Sequence, residues 1–280
     1  MNQTRFTLLD VTKIAVFAAL YTLFGLLIPI QGYVSVGFAI GTGITAVLYG
    51  GTLYYLNTNI PLGKAARFLI TWLAVYVIQM LMPVLEGAFF TTQFVGAPEL
   101  MFGALVFGWI LVLPTALVGT LLFKPAGPIR NFREMRQEYF GRTSASQFAG
   151  RYVISSTLWM VIYFVFGAII SPFVLPYYTE GGVGYELVLP ELHVVLALQL
   201  VRGFILVLMI LPLIISVNLD WRYLAVILAA LLYIGGALAI FLISDQFPLL
   251  LRMFHGMEMF ADAASAGVVI AYILGRKESV

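Results

Sequence analysis

Residues 191–217 read ELHVVLALQLVRGFILVLMILPLIISV, and Arg202 is the one charge inside the run. At about 1.5 Å of rise per residue, a helix over this stretch is about 40 Å long. The hydrocarbon core of a bilayer is only about 30 Å thick. The run therefore reads as a transmembrane helix, and seven others resemble it in length. Together they place candidate spans near 11–31, 34–56, 65–90, 99–123, 149–175, 191–217, 221–244 and 247–275. Turn chemistry separates them at Pro29–Gly32, Asn57–Gly63, Gly96–Pro98, Gly181–Gly184 and Asp245–Pro248. The expected fold class is all-α: a polytopic transmembrane bundle of about eight helices, forming one integral membrane domain over 1–280.

Composition agrees. The chain has 280 residues, of which 62% are hydrophobic and 10% charged. A soluble domain carries roughly 25% charged residues to keep its surface polar, so most of this surface must face lipid. Aromatic residues reach 15%, which suits lipid-facing and interfacial positions. A formal charge of +2 gives no footprint for nucleic acid. Cysteine is absent, which removes disulfides, thiolate metal sites and cysteine nucleophiles. The first apolar run, Val11–Ile30, is too long for a typical signal core and reads as a retained helix.

Orientation follows from the basic residues. With the N-terminus inside, the inner segments hold Arg5, Lys13, Lys64, Arg67, Lys124, Arg130, Arg133, Arg136, Arg142, Arg151, Arg222, Arg276 and Lys277, which is 13 of the 15 Lys and Arg. The outer loops hold Glu99, Glu180, Glu186, Glu191 and Asp245. Both termini are expected in the cytoplasm of a cell, in what reads as a prokaryotic cytoplasmic membrane. The long inner loop, 124–148, repeats Ile129, Phe132, Met135 and Tyr139 at helical spacing with Arg130, Arg133 and Arg136 between them. This predicts a short amphipathic helix on an anionic leaflet, so membrane lipids are expected partners. Ser144 and Gln147 form a capping-box pattern at the start of span five.

A parallel internal hairpin repeat is suggested by three matches. Ala66-Arg67-Phe68 opens span three and Gly150-Arg151-Tyr152 opens span five; Leu113-Pro114 and Leu211-Pro212 return the hairpins; Leu9-Asp10 and Leu219-Asp220 open spans one and seven. The first hairpin, Ala18-Ala19-Leu20-Tyr21 through Pro29 and then Gly37 to Gly51, is faintly similar to the opening of substrate-binding subunits of energy-coupling-factor vitamin transporters. That similarity covers under a fifth of the chain and uses common residues. Those subunits usually have six helices, so no assignment is drawn from it.

The sharpest functional signal is charge inside the bilayer, which costs about 2.5–3.5 kcal/mol per residue and asks for a partner. Arg202 lies in span six, Glu258 and Asp262 with His255 in span eight, and Glu86 at the outer end of span three. Counted from the outer face, Arg202 and Glu258 both fall about 16 Å deep, so a direct or water-bridged Arg202–Glu258 pair is expected. On span eight the steps from Arg252 through His255 and Glu258 to Asp262 keep one broad face. The opposite side of that span offers small residues for close helix packing, Ala261/Ser265 and Ala263/Gly267.

Three readings compete for this cluster. It is a buried network that locks spans six and eight together; or a substrate or proton site, because the acids outnumber the one arginine; or a metal site at His255, Glu258 and Glu86, for which the second His-x-x-Glu copy is missing. Asp10 and Asp220 read as helix caps, His193 as interfacial, and Pro83 as a kink that frees the Gln79 carbonyl. No protease, hydrolase or phosphate-loop motif and no cofactor motif is found. The leading expectation is a permease-like or small-molecule- or lipid-binding membrane protein centred on Arg202, Glu258, Asp262, His255 and Glu86. A non-catalytic subunit or scaffold of a larger membrane complex, with partner subunits or further copies of this chain, is the alternative, and an intramembrane enzyme is third.

Overall fold

Local capping decides where several helices begin. Thr7 and Asp10 exchange side-chain and backbone hydrogen bonds, with the Asp10 amide on the Thr7 hydroxyl and the Thr7 amide on the Asp10 carboxylate, so span one starts at Leu8. Ser144 and Gln147 do the same ahead of span five, each backbone amide donating 3.2 Å to the other's side chain. Asp220 caps span seven through the Arg222 amide.

The computed structural model describes residues 6–27, 35–91, 98–179, 187–238, 241–242 and 248–276. The expected turns at Pro29–Gly32 and Gly181–Gly184, most of those at 96–98 and 245–248, and Arg5, Glu180, Glu186, Asp245 and Lys277 lie outside them. Among the described residues, eight helices are long and apolar enough to cross a membrane: Leu8–Leu27, Val36–Thr58, Lys64–Phe90, Glu99–Leu122, Ala145–Tyr178, Leu192–Ser216, Trp221–Leu238 and Leu249–Leu274. Among the described residues there are isolated bridges and no strand. An all-helical chain with eight such spans fits a multi-pass membrane protein. Span five supports this most directly. It lies at the rim, with Val153, Ile154, Val161, Val165, Ile169 and Phe173 all exposed, a face that water would not tolerate.

One end of the bundle is tied together by its loops. Ala126 N–H donates to Thr58 O at 2.9 Å, Arg130 N–H to Pro61 O at 2.7 Å, Asn218 N–H to Asn59 O at 3.0 Å, and Trp221 N–H to Arg276 O at 3.1 Å. The loop helix, Phe132–Gly141, docks on this end, capped by Asn131 and with Met135 fully buried. The Tyr139 hydroxyl donates to Leu274 O at 2.8 Å. The apolar stripe thus faces protein. Ile129 does not join it: Pro128 precedes it, Asn131 caps the helix after it, and it is 61% exposed. At the opposite end, Val188 N–H donates to Phe90 O at 3.0 Å and brings together the segments after span three and before span six.

Two spans carry π-helical segments. In span three the segment is Val77–Leu81, where Met82 N–H bonds five residues back to Val77 O. Pro83 follows at once, so the ladder shifts where a donor is missing. In span seven it is Leu231–Leu238. Gly235 and Gly236 let this segment lie close against Tyr49 and Ile78, since a Cβ on Gly236 would stand 3.3 Å from Ile78 Cγ2 and 3.4 Å from Ile78 O. The two π segments therefore touch in the middle of the bundle. Spans seven and eight pack through small residues, as the spacing predicts: a Cβ on Gly267 would stand 2.6 Å from Ala229 N.

The residues that carry the suggested repeat play unlike parts. Arg67 is 1% exposed and donates to Thr120 O at 2.8 Å, whereas Arg151 is exposed. Pro114 follows a break in the helix at Val112, whereas Pro212 lies inside a continuous helix.

Candidate functional site

Arg202 is 3% exposed and is held by three other groups. Its Nη1 donates to Gln199 Oε1 at 2.8 Å, one turn earlier on the same face of span six. Its Nη2 donates to Glu86 Oε2 of span three at 2.9 Å. The guanidinium sits 5.8 Å from the centroid of the Trp159 ring of span five, and Trp159 Nε1 also donates to Gln199 Oε1, at 3.3 Å. Gly203 makes this possible: a Cβ there would collide with the Ser156 carbonyl, so only glycine lets span five approach at this level. Three side chains from three spans hold one positive charge, which meets the need of a buried charge for a charged partner, although Arg202 Nε makes no hydrogen bond among the described residues.

The expected Arg202–Glu258 pair is not formed. Glu258 instead pairs with His255, Oε2 to Nδ1 at 2.6 Å, and its other oxygen faces Gly167 of span five. A count along each helix fixes only one coordinate. Span five packs extensively against both six and eight, which touch each other only briefly. Arg202 consequently turns to span three, and Glu86 reaches inward from one turn before the end of its helix rather than standing at the interface.

Asp262 lies one turn beyond Glu258, is 5% exposed, and has an Oδ1 without a hydrogen-bond partner. Of the five residues singled out from sequence, it alone makes neither a hydrogen bond nor an ion pair among the described residues. It stands within the electrostatic reach of Glu258, Glu86, His255 and Arg202, so the five do form one cluster.

A cavity of about 250 Å³ joins them. Glu86, Arg202, His255 and Asp262 line it, as does Arg252 of span eight; Glu258 stands behind His255 and does not. Trp159, Tyr163, Tyr178, Phe90 and Phe241 supply aromatic wall, and Ile78, Met82, Leu232 and Gly236 bring in both π segments. Helix segments of this kind occur often at functional sites. Phe90, Thr91 and Leu187 place the cavity's far side at the end of the bundle away from the loop helix. An apolar and aromatic wall with a few convergent polar groups is the usual make-up of a small-molecule site. Among the described residues no group of three or more His, Asp or Glu is arranged to hold a metal ion.

Gln199 and Trp159 were not among the sequence candidates. Gln199 had a signal, being a polar residue three before Arg202 in an apolar run. Trp159 had none, because its role depends on which face of span five meets span six. No protein-family model, curated protein or solved structure matches this chain.

Proposed function

We propose that this is a permease-like membrane protein whose cavity takes a small organic cation, or a proton, from the outer side of the membrane. The observation that carries the reading is Asp262. Its carboxylate is almost fully buried, lacks a protein partner among the described residues, and lines a cavity with aromatic faces. Burying a carboxylate without a partner is costly, and a ligand that supplies positive charge removes that cost. Aromatic rings beside a carboxylate favour organic cations in particular. Segregation of the basic residues puts the loop helix and both termini in the cytoplasm, so the cavity belongs to the outer half of the bundle.

The second reading, a scaffold subunit, rests on a specific observation too: Arg202–Glu86 and His255–Glu258 each pair off within the protein. One variant separates the two. Asp262→Asn removes an unpartnered charge and should raise the melting temperature of the protein in phosphatidylcholine nanodiscs. Under the proposed function, tetramethylammonium and phenethylammonium chloride stabilise the wild type while sodium benzoate does not, and Asp262→Asn abolishes the cation effect. If neither cation stabilises the wild type, and uptake assays in vesicles give the variant full activity for every cation tried, the cluster is structural.

A further inference from the structure

At the opposite end of the molecule a second pocket, of about 210 Å³, opens between the loop helix, the first turns of span five and the end of span eight. Its lining includes Glu138, Arg142, Thr143, Arg151 and Arg276. Glu138 is the hub. Its Oε2 accepts from Arg130 Nη2 at 2.8 Å, its Oε1 accepts from Arg142 Nη2 at 2.9 Å, and Arg276 Nη1 stands 4.0 Å from the same Oε1. The Arg130 hydrogen bond, with the charges of Arg276 and Arg142, holds the Glu138 carboxyl below the usual carboxylate range. It is therefore ionised, and it is already shared three ways.

Arg151 adds a fourth guanidinium, and its side chain has no ion-pair partner among the described residues. Among the described residues, four arginines against one glutamate leave three positive charges in excess at this spot. Arg276 is held in place regardless, with a side chain 16% exposed and its Nη2 donating to Ile215 O at 3.0 Å. The fold spends several hydrogen bonds to keep like charges side by side around a space. Such an arrangement is stabilised by an anion that accepts from more than one guanidinium, and phosphate oxygens suit forked guanidinium donors best.

We infer that this pocket is a phosphate-binding site, formed by Arg142, Arg151 and Arg276, for a phospholipid headgroup or a free phosphate. Position points to the headgroup. Span five begins at Ala145 and span eight ends at Leu274, so the pocket stands where the apolar spans stop, at headgroup level. Ile273, half-buried, and the buried Leu274 supply the apolar part of its lining.

The test uses the full chain in nanodiscs of phosphatidylcholine, with or without an equal part of phosphatidylglycerol, and a third sample in phosphatidylcholine with inorganic phosphate. Native mass spectrometry reads retained lipid, and thermal unfolding reads stabilisation. Arg151→Gln touches no protein partner of that side chain, and in phosphatidylcholine, whose choline cation is repelled by the excess arginine charge, it should leave the melting temperature unchanged. It should weaken phosphatidylglycerol retention about tenfold, the loss of one charge-assisted hydrogen bond. Arg151→Lys should recover only part of it. Arg133→Gln/Arg136→Gln, which removes two charges from the loop helix outside the pocket, should have little effect. Retention of phosphatidylglycerol with no response to inorganic phosphate identifies the headgroup as the source; stabilisation by inorganic phosphate alone identifies the free ion. If neither binds, or if the control double variant loses as much as Arg151→Gln, the site does not exist.

Discussion

Arg202 and Glu86 form a pair whose two members differ in one respect that an experiment can reach. Replacing Glu86 with leucine strands a guanidinium that is 3% exposed and keeps only Gln199 and the Trp159 face. A guanidinium in a protein does not release its proton. The loss should therefore be about 3–5 kcal/mol, as for other buried pairs with one partner removed, and should not change with acidification. Replacing Arg202 with leucine strands a carboxylate whose side chain is 23% exposed toward the cavity. A carboxylate can take up a proton instead. For an ordinary glutamic acid that step costs about 3.7 kcal/mol at about pH 7 and about 1 kcal/mol at about pH 5. The penalty of the arginine variant is thus capped, and the cap falls as the pH falls.

The assay is denaturant unfolding of the purified single and double variants in one lipid or detergent, each measured against wild type at the same pH. Near pH 7 the two single variants should look alike. Near pH 5 the Arg202→Leu variant should have recovered most of its loss and the Glu86→Leu variant none. The double variant should regain much of the deficit at either pH, because two apolar residues replace a pair without leaving a charge behind. Pairing Arg202→Leu with Glu258→Leu should give no comparable recovery. A coupling between Arg202 and Glu258 as large as that between Arg202 and Glu86 would refute the geometry, and acid rescue of Glu86→Leu would refute the reasoning about the guanidinium.

Gly203→Ala places a methyl group against the Ser156 carbonyl and should cost about 1–3 kcal/mol in an unfolding experiment, with a change in Trp159 fluorescence as span five is pushed away. Wild-type stability and an unchanged spectrum would show that the spans are not in contact there. Reporters fused after Val280 or inserted at Gly141 should mark the cytoplasm, and one inserted at Gly182 should mark the outside. A different side at any of the three positions overturns the orientation.

The spans were legible because lipid imposes a one-dimensional demand. About 20 apolar residues are needed to cross it, whatever they pack against, and all eight runs return as helices. Caps were legible for a related reason: Ser144 with Gln147, and Asp220, act within one turn of the chain, whereas Asp10 proves to lie inside its helix as the partner of Thr7. The cluster was legible as a set, since Arg202, Glu86, His255, Glu258 and Asp262 do gather. Its pairings were not. Arg202 found Glu86 because span three stands on the side toward which Arg202 turns, and rotation about a helix axis is set by neighbours such as Ser156 and Gly203. Arg67 shows the same limit from the other direction. Its place near a helix start fitted an interfacial base, yet spans three and four close over it and leave Thr120 O as its acceptor.

The loop-helix end of the bundle is held by backbone hydrogen bonds between segments. Around the loop helix, backbone hydrogen bonds link the segments after spans two, four, six and eight, and Met135 plugs the space between them. To separate the spans there, several such bonds must break together. At the cavity's end, Val188 N–H to Phe90 O joins two of the described segments. Both π segments lie between these regions and touch each other. A π segment already departs from regular i→i−4 bonding, so a change of helix register costs less there than in regular helix. Glu86 lies one turn past the first of these segments. Its salt bridge to Arg202 therefore ties span six to the part of span three that follows the irregular ladder, and it forms part of the cavity wall.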